Sequence, residues 1–145
     1  MHIYVRIKGG NVTITTTTNT TDLQSCSSHE LASLTISTSG AVSIANIQKI
    51  TGRLTVANTA VTDLVLPDLQ SIGALRITGN SDLRNVSLPQ LQSVGDQNGD
   101  TGGGVRVRDN PVLEEVDMGS LEDVYGGFTL HGAFTFVRPC PPYAN

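Results

Sequence analysis

A chain of 145 residues has room for one domain with a real core and little for a second. Only 15% of it is charged and 4% aromatic, with no tryptophan, so a core must be built from Leu, Ile and Val. The net charge of −4 argues against general nucleic-acid binding, which wants a basic face, and the scattering of the acids argues against an acidic disordered tail.

In chain order, residues 1–10 form an N-terminal extension. Its apolar positions (Ile3, Val5, Ile7) alternate with polar ones and lack the continuous apolar run of a signal peptide. Residues 11–33 read as an N-terminal cap. Val12 and Ile14 predict a strand, then comes a polar turn, then a short helix-like stretch that Thr20 or Thr21 can cap, with Asp22 in its first turn. A polar segment of this kind suits the open end of a stacked repeat.

Residues 34–137 carry the main signal, a repeated apolar spacing. One copy runs Asn58, Val61, Leu64, Leu66, Leu69, Ile72, and a second runs Asn80, Leu83, Val86, Leu88, Leu91, Val94. A third runs Asn110, Leu113, Val116, Met118, Leu121, Val124. Upstream, Val42, Ile44, Ile47 and Ile50 repeat the last part of the series. A glycine closes each copy and a two-step apolar pair follows: Leu54/Val56, Leu75/Ile77, Val105/Val107 and Phe128/Leu130, with Leu34/Ile36 as an earlier member.

Two-residue steps predict short strands with side chains alternating in and out, and three-residue steps predict corners. Helix fits the three-residue steps as well, but Pro67, Pro89, the closing glycines and the shortness of each stretch argue against it. The expected fold is mostly β, a right-handed β-solenoid of about four to five stacked leucine-rich coils. One coil cannot bury enough apolar surface to stand alone, so stability belongs to the array.

An insertion at 96–104 interrupts the period once, and Gly132 to Val137 reads as the start of another coil. The asparagines Asn58, Asn80 and Asn110 are expected to stack as a ladder whose amides bond the backbone of adjacent coils. Residues 138–145 form a proline-rich tail with neither the apolar end nor the Ser-rich stalk of a lipid-anchor signal. No stretch is apolar for long enough to be a transmembrane segment.

Motifs for catalysis are missing. His2, His29 and His131 stand far apart in sequence with no matching nucleophile or acid, and no glycine-rich phosphate loop opens a helix. No catalytic residue, metal ligand or cofactor is assigned, and an enzyme is not expected. The run from Asp96 to Gly102 resembles the start of a calcium loop. Its sixth and twelfth positions are Thr101 and Val107, where the loop needs Gly and Glu, so a surface loop is the better reading. Cys26 and Cys140 invite a disulfide, but several coils at about 4.8 Å each separate their segments, so no bridge is expected.

Three sequons make Asn11, Asn19 and Asn85 glycosylation candidates. The outward residues within the two-step pairs are Thr35, Thr55, Arg76, Arg106 and Thr129. Stacked coils would align them as a stripe able to bind a polyanion or polyhydroxyl ligand, with a plain solvated sheet face as the alternative. Thr55, Arg76, Arg106 and Thr129 are the binding-face candidates.

The segments Val12-Thr-Ile14, Asp22-Leu-Gln-Ser-Cys26 and Leu34-Thr-Ile36 resemble the N-terminal signature of the fungal GPI-anchored cell-wall organisation family. Ile50-Thr-Gly-Arg-Leu54-Thr-Val, Leu66-Pro-Asp-Leu69-Gln-Ser-Ile72-Gly73 and Leu88-Pro-Gln-Leu91-Gln-Ser-Val94-Gly95 are similar to its repeats, and Gly126-Gly-Phe128-Thr-Leu130 continues them. The resemblance covers about Asn11 to Phe136 and is to a short or truncated member. It implies a receptor L-domain-like solenoid, a glycoprotein at the cell wall or outer plasma membrane that supports wall organisation without catalysis. Membrane anchoring rests on the family analogy alone. The implied partners are wall polysaccharide or wall proteins and no nucleic acid. The rival expectation is a leucine-rich module that binds a protein through the same strand face.

Overall fold

A computed structural model describes residues 11–14, 30–95 and 103–137. The chain enters as β1 (Asn11–Ile14), β2 (Glu30–Leu31), β3 (Ser33–Ile36) and β4 (Ser39–Ser43). It continues as β5 (Lys49–Ala57), β6 (Ala60–Val65), β7 (Ser71–Thr78), β8 (Asn85–Ser87) and β9 (Ser93–Val94). Beyond the insertion come β10 (Gly104–Arg108), β11 (Glu115–Asp117), β12 (Asp123–Val124), β13 (Gly127–Leu130) and β14 (Thr135–Val137). No helix occurs among the described residues.

Every pairing is parallel. The long sheet runs β1-β3-β5-β7-β10-β13, with β2, β9 and β12 extending the same face, and the second sheet runs β4-β6-β8-β11-β14. Successive coils each give one strand to each sheet, so the chain is a β-solenoid of about four turns.

The apolar pairs seen in the sequence stack rung on rung. Leu34, Leu54, Leu75 and Val105 form one column and Ile36, Val56, Ile77 and Val107 the next. Leu64, Val86 and Val116 face them from the second sheet, and all of these residues are buried. Corners are bonded too: the Gln70 amide donates to the Gln48 carbonyl, Gln92 to Gln70 and Glu122 to Gln92, each at 2.8 Å. The backbone ladder thus continues around the bend, which satisfies donors that a looser loop would leave to water.

Four expectations need correction. Gly52 and Gly73 do not end a stretch. Strands β5 and β7 run straight through them, and a bulge between Ile50 and Arg53 absorbs one extra residue. Two of the three-residue steps, Leu91 to Val94 and Leu121 to Val124, also hold two-residue strands, β9 and β12, because the corner backbone still pairs with the neighbouring coil. The insertion ends one residue early, since Gly104 is already strand. Residues 135–137 are the second-sheet strand of the coil begun by β13, and they pair with β11.

Asn11–Ile14 is more than a lid, being the first rung of the long sheet in register with Ser33–Ile36. The helix-like stretch of the cap lies outside the described residues up to Glu30, and from Glu30 to Leu31 the chain is strand. Cys26, Cys140, His2, His29, Asn19 and the insertion at 96–102 also lie outside the described residues.

The asparagine ladder is present with one member exchanged. Asn80 is fully buried, and its Nδ2 donates to the Val56 carbonyl (2.9 Å) and to Asn110 Oδ1 (3.0 Å). Asn110 Nδ2 donates in turn to the Ile77 carbonyl (3.1 Å). The place expected for Asn58 is held by Thr59, whose backbone amide (3.0 Å) and Oγ1 (2.7 Å) both donate to Asn80 Oδ1. Asn58 sits one position earlier, in a left-handed column with Gly79 and Asp109 at φ 54°, 69° and 57°. That is a conformation glycine, asparagine and aspartate tolerate best.

Two stability tests follow. Leu88 is fully buried, so Leu88→Ala should cost roughly 2–5 kcal/mol in urea unfolding. Asn80→Ala removes the acceptor of Thr59 and the donor to Val56 and should cost roughly 1–3 kcal/mol per stranded group. An unfolding midpoint unmoved by either change would mean that the core register is wrong.

Candidate functional site

The strand alternation that sends Leu54 and Val56 inward sends Arg53 and Thr55 outward. Parallel in-register pairing then lines up equivalent residues of successive coils. Thr35 lies beside Thr55, Thr55 beside Arg76, Arg76 beside Arg106 and Arg106 beside Thr129. The four binding-face candidates therefore fall in one unbroken row across the long sheet, and Thr13 of β1 extends it beyond Thr35.

The neighbouring row is mostly small: Ala74, Gly104 and Gly127 pair in register. Side chains on one row and bare backbone on the next make a trough. Arg53, Arg76, Arg106, Thr129, Gly104 and Gly127 line one end of it, and Ser33, Thr35, Thr55, Arg53 and Ala74 the other. Arg53 was not expected. It stands just outside the two-step pair Leu54/Val56, on the same outward face, and the two-residue alternation would have found it.

The cations are unevenly placed. Lys49, Arg53, Arg76, Arg106 and Arg108 all lie on strands of the long sheet. Asp63, Glu115 and Asp117 lie on strands of the second, and Glu30 and Asp123 on the short strands β2 and β12 of the long sheet. Arg84 pairs with Glu114 at 3.6 Å and Arg108 with Asp109 at 3.5 Å. Among the described residues no carboxylate pairs with Arg53, Arg76 or Arg106.

The sequon asparagines separate. Asn11 is exposed on the long sheet, where its Oδ1 accepts from Ser33 Oγ (2.7 Å), so it adjoins the Thr end of the row. Asn85 is exposed on the second sheet, where its Nδ2 donates to Asp63 Oδ1 (2.8 Å). Val107, which a calcium loop would need as a glutamate, is fully buried. His131 is exposed. Among the described residues no cluster of three or more His, Cys, Asp or Glu could hold a metal ion, and no helix is long and apolar enough to cross a membrane.

Coils of this length, stacked in two parallel sheets with an inward leucine column, are the architecture that the sequence resemblance implied. The family model of the receptor L domain matches residues 5–124. The chain belongs to the receptor L domain family. Comparison with curated proteins found no match, and comparison with solved structures found none. As a receptor L domain it has the fold of a surface module that binds ligands, and its outward long-sheet face carries a regular array of polar groups.

The floor of the trough tells its two glycines apart. At Gly127 an added Cβ would meet nothing within 4 Å, whereas at Gly104 (φ 128°) it would run into the Gly127 backbone. Gly127→Ala should therefore change unfolding free energy by less than about 0.5 kcal/mol. Gly104→Ala should cost at least about 1–3 kcal/mol. Equal effects in urea melts would show that the two glycines are not stacked in this register.

Proposed function

We propose that this receptor L domain is a non-catalytic, ligand-contacting module of a cell surface, and that the contacted ligand is wall glycan. In this reading the protein supports wall organisation in the manner of the fungal GPI-anchored family its repeats resemble. Its place is the cell wall or outer face of the plasma membrane, with glycans on Asn11 or Asn85.

The single observation that carries the reading is the row Thr35-Thr55-Arg76-Arg106-Thr129, in register over consecutive rungs and directed away from the core. Hydroxyl and guanidinium groups repeated rung by rung along an open trough suit an extended polymer of sugar hydroxyls better than a single compact ligand, which needs an enclosed pocket. A protein partner would use the same face. It is the weaker reading because no residue of the row is aromatic or aliphatic, and protein interfaces draw most of their affinity from such anchors.

Purified protein should co-sediment with isolated insoluble wall polysaccharide, and the Arg76→Ala, Arg106→Ala double variant should be retained several-fold less while melting like the parent. No retention of the parent protein, together with its absence from wall extracts of cells that express it, would defeat the proposal.

A further inference from the structure

We propose that the trough is a subsite for a linear acidic polysaccharide, whose carboxylate or phosphate groups are held by Arg53, Arg76 and Arg106. This rests on the glycan reading above and narrows it to one chemical class.

The first ground is charge left without a counterpart among the described residues. Arg53, Arg76 and Arg106 stand on three successive rungs, β5, β7 and β10, and line one trough. Like charges one or two rungs apart, at about 4.8 Å per rung, repel each other. Elsewhere on the solenoid the guanidinium groups of Arg84 and Arg108 have a carboxylate close by. Among the described residues these three have none, and no acid is among the described residues lining the trough. An anion lying between them would relieve the repulsion, and a guanidinium fork matches carboxylate or phosphate oxygens in pairs.

The chain as a whole is acidic, at −4, so the positive face is a local feature and not general basicity. Acids without neighbouring strand cations on the second sheet would turn a polyanion away from that side, while the long sheet's Glu30 and Asp123 do not line the trough.

Shape and periodicity select the polymer. Ala74, Gly104 and Gly127 keep the floor low, so an extended chain can lie along the solenoid axis against the backbone. Threonine hydroxyls at both ends of the arginine run, Thr55 on one side and Thr129 on the other, can donate to and accept from sugar hydroxyls. Nothing along the outward row offers a pocket for an apolar side chain, which disfavours an acidic peptide. Arg53 becomes a binding residue on this account, along with Arg76 and Arg106.

The full chain is tested in affinity electrophoresis against polygalacturonate, a phosphorylated mannan, an unsubstituted mannan and poly-glutamate. One or both acidic polysaccharides should retard it at least tenfold more strongly than unsubstituted mannan, and the polymer that does so identifies carboxylate or phosphate as the recognised group. Retardation should weaken steadily with added salt. Arg53→Gln alone, and Arg76→Gln with Arg106→Gln, should each weaken it several-fold or more, while Arg84→Gln leaves it unchanged and all variants melt with the parent.

Unsubstituted mannan bound as well as the acidic polymers, by parent and variants alike, would overturn the anion subsite while leaving the glycan reading in place. Poly-glutamate bound as tightly as polygalacturonate would overturn the choice of polysaccharide. Failure of every glycan to retard the protein would overturn both.

Discussion

Everything in this molecule depends on parallel backbone pairing held in register from coil to coil. An isolated coil has a leucine-lined interior with nothing above or below it, and fixing its backbone costs more than that burial returns. Stacking changes this, because each new coil bonds its amides to the one beneath and covers that coil's apolar column. The pairing extends beyond the flat strands into the corners, where Gln48, Gln70, Gln92 and Glu122 link carbonyl to amide. Close contact there leaves no room for slippage, and a slip of one residue would turn the leucine column out to solvent.

The buried asparagines add direction to this frame. Hydrophobic columns alone tolerate exchange of Leu for Ile or Val, whereas Asn80 and Asn110 must meet particular carbonyl and amide groups. A fully buried carboxamide is costly unless its bonds are made, so these residues penalise every packing in which the coils are out of step. The same register aligns the outward residues. The arginine and threonine row is a by-product of the pairing that builds the core.

Much of this was legible in the sequence because a solenoid repeats its inward residues at fixed steps. The pairs Leu54/Val56, Leu75/Ile77 and Val105/Val107, and through them the row Thr55-Arg76-Arg106, could be placed without coordinates. Two features were not legible, each for a physical reason. The spacing counted from Asn58 equals that counted from Asn80, yet the bend from Val56 to Val61 is one residue shorter than the bend from Ile77 to Leu83. The shorter bend puts Thr59 at the ladder site and leaves Asn58 in the left-handed column. The bulge in β5 was likewise hidden, since an extra residue between two apolar positions looks like a corner until the pairing is known. The arrangement of charge on the outward face was not legible either, because apolar periodicity carries no information about which charges pair.

The insertion after Gly95 has a consequence for how such a molecule can change. Asn80 and Asn110 are thirty residues apart in sequence, yet they bond as neighbouring rungs, and Val105 sits on Leu75 as Leu75 sits on Leu54. Extra chain has been accommodated there without disturbing a single rung. Closing a longer loop at such a point costs little, about 0.6 kcal/mol for each doubling of its length. Gly103, where the insertion rejoins the described fold, also lines the trough. The junction is thus a site of evolvability, where new sequence can be tried next to the trough-lining Gly103 while the scaffold below stays fixed.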